Sequence, residues 1–229
     1  MIEKKFTIII CCYNNNKYLK ECLLSVVNQK KNLLPYDIIF VDDKSTDGSL
    51  EIAKKIFFSF KNTKIIENKK NIGLSKSCNK AIKACKTKYF IRVDSDDFIK
   101  SNTLHYFEKK IEKNYDFICC NRIEFNKKTK KKVKNNRNLF KMISCGVALK
   151  TNRVKKIGGY KNLLWEEYDL YIRYLNNNLD NIVNIDQYLY FYRKHKSSMS
   201  YKKNWVKRAW KQLEKKYGQK KLKIYKINS

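Results

Sequence analysis

Along the first hundred residues, short unbroken apolar runs alternate with segments whose apolar positions recur every three or four residues, which predicts strand and helix in turn. Phe6–Cys12 is the first apolar run, and Asn14–Asn16 then offer caps to a helix with Leu19, Cys22, Leu23 and Val26 on one face. "YDIIFVDD" (36–43) predicts a second strand, "KSTDGS" a turn, and Leu50, Ile52, Ala53 and Ile56 the buried side of a second helix. "KIIE" (64–67), the loop "NKKNIG" and a helix from Ser75 bearing Cys78, Ile82 and Cys85 make a third unit. "YFIRV" (89–93) is the fourth strand. Repeated units of this kind predict a mainly parallel sheet flanked by helices, with ligands beyond the carboxyl ends of its strands.

After residue 100 the pattern becomes mixed. It predicts a helix over 101–113 with Leu104, Phe107 and Ile111 inward, a strand "YDFICC" (115–120) and a basic run "NKKTKKKVKNNR" (126–137). A strand over 146–149, a turn at Gly158 and Gly159, a helix in "WEEYDLYIRYL" (165–175) and two strands, "NIVNI" (181–185) and "YLYFYR" (188–193), follow. At 229 residues the chain suits one α/β domain, residues 1–200, with a basic tail over 201–229.

Polar clusters fall at the predicted strand ends: Asn14 after the first, Asp42 and Asp43 after the second, Asp94, Ser95 and Asp96 after the fourth. In "YFIRVDSDDFI" an apolar strand runs straight into three aspartates, whose mutual repulsion calls for a positive partner. Residues i and i+2 of an extended chain point the same way, so Asp94 and Asp96 project together. Two hard oxygen ligands on one edge suit Mg²⁺ or Mn²⁺ completed by substrate phosphates. The plainer alternative is that they cap the helix near Ser101.

Charge changes the picture less than its size suggests. The chain carries 52 Lys+Arg against 21 Asp+Glu, a net +31, but abundant Lys and Asn throughout resemble an AT-rich coding bias. Such a charge favours polyanions without choosing among them. The eight cysteines (Cys11, Cys12, Cys22, Cys78, Cys85, Cys119, Cys120, Cys145) lie mostly in apolar patterns with no C-x-x-C spacing, as buried thiols of a reducing cytosol would. The N-terminal apolar run is too short for a leader or a membrane span, so a cytoplasmic protein is expected. Between Lys202 and Lys226 there are eleven Lys+Arg and one acid, Glu214, around Val206, Trp210, Leu213 and Tyr217 at helical spacing. That stripe predicts either a peripheral helix on an anionic membrane surface or a helix packed on its own domain, and the first is the expectation.

The blocks "TIIICCYNNNKYLKECLLSVVNQ", "DIIFVDDKSTDGSLEIA", "NIGLSKSCNKAIKACKTKYFIRVDSDDFI", "IGGYKNLLWEEYDLYIRYL" and "YRKHKSSMS" resemble, in order and spacing, family 2 inverting glycosyltransferases over about residues 6–200. The resemblance implies a single Rossmann-like GT-A domain, with a nucleotide-binding half over 1–98 and an acceptor-side half over 99–200. It also implies a nucleotide-diphospho-sugar donor, Mg²⁺ or Mn²⁺ at a D-x-D motif, and a glycan or lipid-linked acceptor in cell-surface polysaccharide or glycoconjugate synthesis. Carried over by position, Tyr13 packs on the nucleobase, Asp43 reads its edge, Asp42 supports the turn, and Cys11, Asn71 and Ser95 line the donor pocket. Asp94 lies near the donor sugar and the metal, Asp96 is the principal metal ligand, and His195 approaches the metal and phosphates. Arg193, with Lys194 and Lys196, clamps the pyrophosphate, and Glu167 of the Glu166-Glu167 pair is the base.

The chain departs from that pattern in three places. Glu167 stands where Asp is usual, Cys11-Cys12-Tyr13-Asn14 replaces P-T-Y-N, and Cys78 replaces an arginine before Asn79, leaving Lys76 and Lys80 as neighbouring cations. Two rival classes fit less well. A nucleotidyltransferase would want a glycine-rich basic loop where "CCYNNNKY" stands, and a nucleic-acid binder would interleave aromatics in the basic run, which has none.

Overall fold

A computed structural model of the chain describes residues 4–30, 35–135, 139–143, 145–176, 182–196, 198 and 203–225. Residues 136–137 of the basic run, residue 181 of an expected strand, residues 197 and 199–200 of the last block and residues 201–202 and 226–229 of the tail lie outside them.

β1 (Phe6–Cys12), α1 (Asn16–Val27), β2 (Asp37–Asp42), α2 (Ser49–Phe57), β3 (Thr63–Glu67), α3 (Leu74–Ala84) and β4 (Tyr89–Arg92) follow the predicted alternation. The four strands pair in parallel in the order β3-β2-β1-β4. The chain therefore steps outward from β1 and then returns to its other side, which opens a crevice beyond the ends of β1 and β4. Along β1 the side chains alternate: Phe6, Ile8, Ile10 and Cys12 join one core with Leu19, Leu23 and Phe57, while Ile9 joins another with Ala81 and Ile82. Both faces are covered, which is why these strands read as unbroken apolar runs. Each fully buried Ile, Leu or Phe contributes about 1.5–3 kcal/mol.

The second half contains β5 (Phe98–Ile99), α4 (Thr103–Ile111), β6 (Phe117–Phe125), β7 (Lys130–Val133), β8 (Val147–Lys150), α5 (Thr151–Lys156), α6 (Glu166–Leu175), β9 (Ile182–Arg193) and α7 (Lys203–Ile224). β8 extends the sheet antiparallel to β4, and β6 and β9 continue it, so nine strands form one sheet among the described residues. β5 and α5 were not expected, and two further elements differ from expectation. The two strands expected over 181–193 are one, because the β6–β9 register slips around Asn121 and absorbs the polar Asp186 and Gln187 without breaking the pairing. Part of the basic run is β7, an edge strand turned back on β6 by Asn126, whose Oδ1 accepts from the backbone N–H groups of Lys128 and Thr129.

The tail corrects a larger expectation. α7 bends at Gly218 (φ 72°), and its two segments bury Ala209, Leu213, Leu222 and the adjoining Tyr225, with Trp210 and Tyr217 packed beside them. The stripe expected to lie on a membrane is core of the domain, and the lysines of the opposite face stand in water. Among the described residues no helix is long and apolar enough to cross a membrane.

Candidate active site

A cavity of about 530 Å³ opens at the carboxyl ends of β1, β2 and β4. Its lining contains Cys11, Tyr13, Asp43, Asn71, Asp94, Ser95, Asp96, Glu167 and His195 of the expected site. Asp42 lies just behind, 2% exposed, accepting from the Ser45 N–H at 3.0 Å, while its buried Oδ1 has no hydrogen-bond partner among the described residues.

On the nucleotide side, the turn after β1 places Asn14 at φ 48° and leaves Tyr13 51% exposed at the mouth. Asn14 Oδ1 accepts from the Thr46 N–H at 2.8 Å, joining this turn to the one after β2. The expected side-chain caps of α1 are used otherwise. Asn15 donates from Nδ2 to Ser95 Oγ at 2.8 Å, and Asn16 donates from Nδ2 to the Asp47 carbonyl at 2.6 Å. Asp43 is 4% exposed and heavily engaged, Oδ1 accepting from Asn68 Nδ2 (2.8 Å) and Ile72 N–H (2.9 Å), Oδ2 from Gly73 N–H (2.8 Å). It thereby shapes the loop that presents Asn71, at Gly73 a positive φ of 85°.

Two departures from the family pattern meet beneath this turn. Cys11 Sγ lies 3.6 Å from Cys78 Sγ, and the contact, with burial, pushes the Cys11 thiol well up. Neither lysine near Cys78 faces the cavity: Lys80 donates to Asn68 Oδ1 at 2.6 Å, and Lys76 is exposed outside the lining. The cation at this place comes from β4. Arg92, 3% exposed and lining the cavity, donates from Nε to Asp94 Oδ1 (2.8 Å) and from NH1 to Glu166 Oε1 (3.1 Å), over the Tyr160 ring. Breaking such a buried pair from one side costs about 3–5 kcal/mol, so the three groups are interdependent. The sequence carried a signal for Arg92, a lone cation in an apolar strand at i−2 from Asp94 and hence on its side.

Beyond β4 the chain turns tightly, Asp97 N–H donating to the Asp94 carbonyl at 3.0 Å. Asp96 Oδ2 lies 2.8 Å from His195 Nε2, brought over by the end of β9, and the imidazole packs on Tyr18. Burial and then the charge of Asp94 push the Asp96 carboxyl up. Asp97 is internal: it accepts from Tyr190 Oη and the Arg193 N–H, each at 2.7 Å. Among the described residues the three metal-ligating side chains whose donor atoms all come within 4.8 Å of one another are Asp94, Asp97 and Cys145, but a buried thiol with an engaged carboxylate suits a soft metal poorly matched to phosphate chemistry. Asp94, Asp96 and His195 are two hard oxygen donors and an imidazole nitrogen on the cavity wall, carrying charge that a cation would compensate. That donor set fits Mg²⁺ or Mn²⁺.

Arg193 is a correction. Its guanidinium pairs with Glu21, donates from Nε to the Asp96 carbonyl at 2.8 Å, and is held between Tyr18 and Phe125, each about 4.6 Å away. Lys194 pairs with Glu124 at 2.5 Å. None of Arg193, Lys194 and Lys196 lines the cavity, and the Arg193 guanidinium supports the Asp96 turn instead.

The acid pair begins α6, where carboxylates are favoured by the helix dipole. Glu166 is buried against Arg92, while half-buried Glu167 lines the cavity. Burial pushes Glu166 up and Arg92 draws it back; burial and the neighbouring Glu166 push Glu167 well up. α7 braces this turn. Gln212 Oε1 accepts from the Leu164 N–H at 3.0 Å, and Asp169 accepts from Arg173, Lys216 and Tyr217.

A mixed sheet with parallel β3-β2-β1-β4 order, carboxylates at the end of β4 and an acid pair across the cavity define a GT-A-type α/β domain. Residues 7–181 match the model of Glycosyl transferase family 2, and the chain belongs to that family. A poly(ribitol-phosphate) beta-glucosyltransferase of Bacillus spizizenii is 44% identical over 101 residues, 44% of this chain and 16% of that protein. A cholesterol galactosyltransferase of Borreliella burgdorferi is 36% identical over 116 residues, 50% of this chain and 32% of that one. Among solved structures, residues 1–349 of S. aureus TarS in complex with UDP-GlcNAc superpose with a TM-score of 0.74 at 25% identity, covering 85% of this chain and 60% of that one. The chain thus spans less than two thirds of each of these relatives.

Proposed function

We propose that this chain is an inverting glycosyltransferase that moves one sugar from a nucleotide-diphospho-sugar to a hydroxyl of a glycan or lipid-linked acceptor, in the synthesis of a cell-surface polymer. The observation that carries this reading is the meeting of Asp94–Asp96 and Glu166–Glu167 in one cavity, tied by Arg92. The UDP-GlcNAc held by the TarS relative supports a uridine diphospho-sugar as donor.

In this reading Tyr13 packs on the base, and Asp43 holds the loop that presents Asn71 to the nucleotide. Asp94, Asp96 and His195 would hold Mg²⁺ or Mn²⁺, which when bound offsets charge developing on the leaving diphosphate. Glu167 accepts the proton of the acceptor hydroxyl at its carboxylate. Its raised pKa makes it a stronger base than a solvated glutamate, provided it is ionised. Arg92 engages Glu166 and Asp94 at the cavity wall and fixes both carboxylates, leaving Glu167 without that partner. The hydroxyl then attacks from the face opposite the diphosphate, and the anomeric configuration inverts.

A panel of UDP-, GDP- and dTDP-sugars incubated with the protein and Mn²⁺ or Mg²⁺ tests this. At least one uridine diphospho-sugar should release its nucleoside diphosphate, and chelator should stop the release. Release of inorganic pyrophosphate from a nucleoside triphosphate and sugar phosphate would favour a nucleotidyltransferase instead.

A further inference from the structure

The lining of the cavity divides by chemistry. The end built by β1 and α3 mixes Asn14, Asn15 and Ser77 with Cys11, Tyr13 and Leu74, whereas Ile143, Leu164, Trp165, Tyr192 and Trp205 line the cavity with Glu167. Trp205 comes from α7, outside the region that matches the family model. Trp165 and Trp205 are half-buried, their rings 6.0 Å apart between centroids at 79°, and Trp165 is fixed from behind by Tyr168 and Trp210 at 5.1 and 5.0 Å. The hydrogen bond from Leu164 to Gln212 and the grip of Lys216 and Tyr217 on Asp169 hold α7 against this turn.

Resting on the transferase reading, we infer that Trp165 and Trp205 form the acceptor subsite and that the unit seated there is an uncharged sugar ring. A base must lie within hydrogen-bond reach of the hydroxyl it deprotonates, so the acceptor lies along the wall that adjoins Glu167. Aromatic rings pack on the C–H face of a pyranose and leave its hydroxyls at the edge. Among the described residues, the ionisable groups in the lining are acids apart from Arg92, which is already shared by two carboxylates, and His195, which lies against Asp96. Carboxylates accept from hydroxyls and repel phosphate, so a phosphorylated unit is disfavoured at this position despite the net charge of +31. The exposed lysines of α7 stand in water, where more distant anionic parts of an acceptor would run.

The experiment uses the full chain with the donor it hydrolyses fastest, and measures how methyl β-glucoside, methyl β-galactoside, methyl β-N-acetylglucosaminide, ribitol 5-phosphate and 1-octanol accelerate nucleoside diphosphate release. At least one methyl glycoside should accelerate it. Trp205→Ala should raise that glycoside's KM by about five- to tenfold, with donor KM changed less than about twofold, and Trp205→Phe should restore most of the affinity. Melting curves of both variants separate loss of the ring from loss of the fold. Acceleration by ribitol 5-phosphate or octanol alone, no acceleration by any probe, or a glycoside KM that ignores Trp205→Ala would overturn the subsite. Absence of nucleoside diphosphate release from every donor would overturn the transferase reading itself.

Discussion

Glu167→Gln will lower turnover by at least about a hundredfold, the scale of a lost general base, with donor affinity nearly unchanged. The side chain lines the cavity without serving the fold: Glu166, not Glu167, takes the Arg92 guanidinium. The amide keeps the shape and removes only the ability to accept a proton. The wild-type pH profile carries a second signature. Because burial and Glu166 raise the Glu167 pKa, its ionised form is lost as pH falls through a value above the ordinary carboxylate range, and the rate should fall there. That limb should disappear in Glu167→Gln. Steady-state rates across pH, with donor affinity measured by titration calorimetry, check both expectations. If Glu167→Gln stays active while Glu166→Gln loses the hundredfold, the base is Glu166.

Asp96→Asn will abolish metal-dependent binding of the donor nucleotide and transfer with it. Asp96 is the carboxylate of its turn that lies beside an imidazole nitrogen at the cavity wall, and its ionisation is opposed by burial and by Asp94. A cation bound there would relieve that opposition, and an amide gives it much less to bind. The Asp96 carbonyl still accepts from Arg193 in the variant, so the turn survives. Calorimetric titration of UDP with and without Mn²⁺, on both proteins, reads the effect. Equal affinity in wild type and variant, or wild-type affinity undiminished by chelator, would remove the metal from this position.

The first half of the fold was legible because both faces of its sheet are buried, which leaves periodicity as a strong signal, although none of α1, α2 and α3 has a side-chain cap hydrogen bond. The second half was less so: β9 carries Asp186 and Gln187 inside a strand, and only the register slip opposite Asn121 explains how. Site residues at strand ends were legible from topology, since Tyr13, Asp43, Asp94 and Asp96 must converge once the parallel order is known. The guanidinium of Arg193 was misplaced because sequence shows a cation beside His195 but not that Glu21, Tyr18 and Phe125 would surround it. The tail was misjudged for a related reason: a basic amphipathic helix looks the same whether its stripe meets lipid or α6. What decides is the partner, here Asp169 and Trp165, and neither is near it in sequence.

The most direct test of inverting sugar transfer follows water in place of the acceptor. Hydrolysis of an α-linked uridine diphospho-sugar by the protein with Mn²⁺ is watched by proton NMR before the released sugar can mutarotate. The single-displacement geometry built around Glu167 predicts that the β-anomer appears first and relaxes toward equilibrium. First appearance of the α-anomer would contradict it.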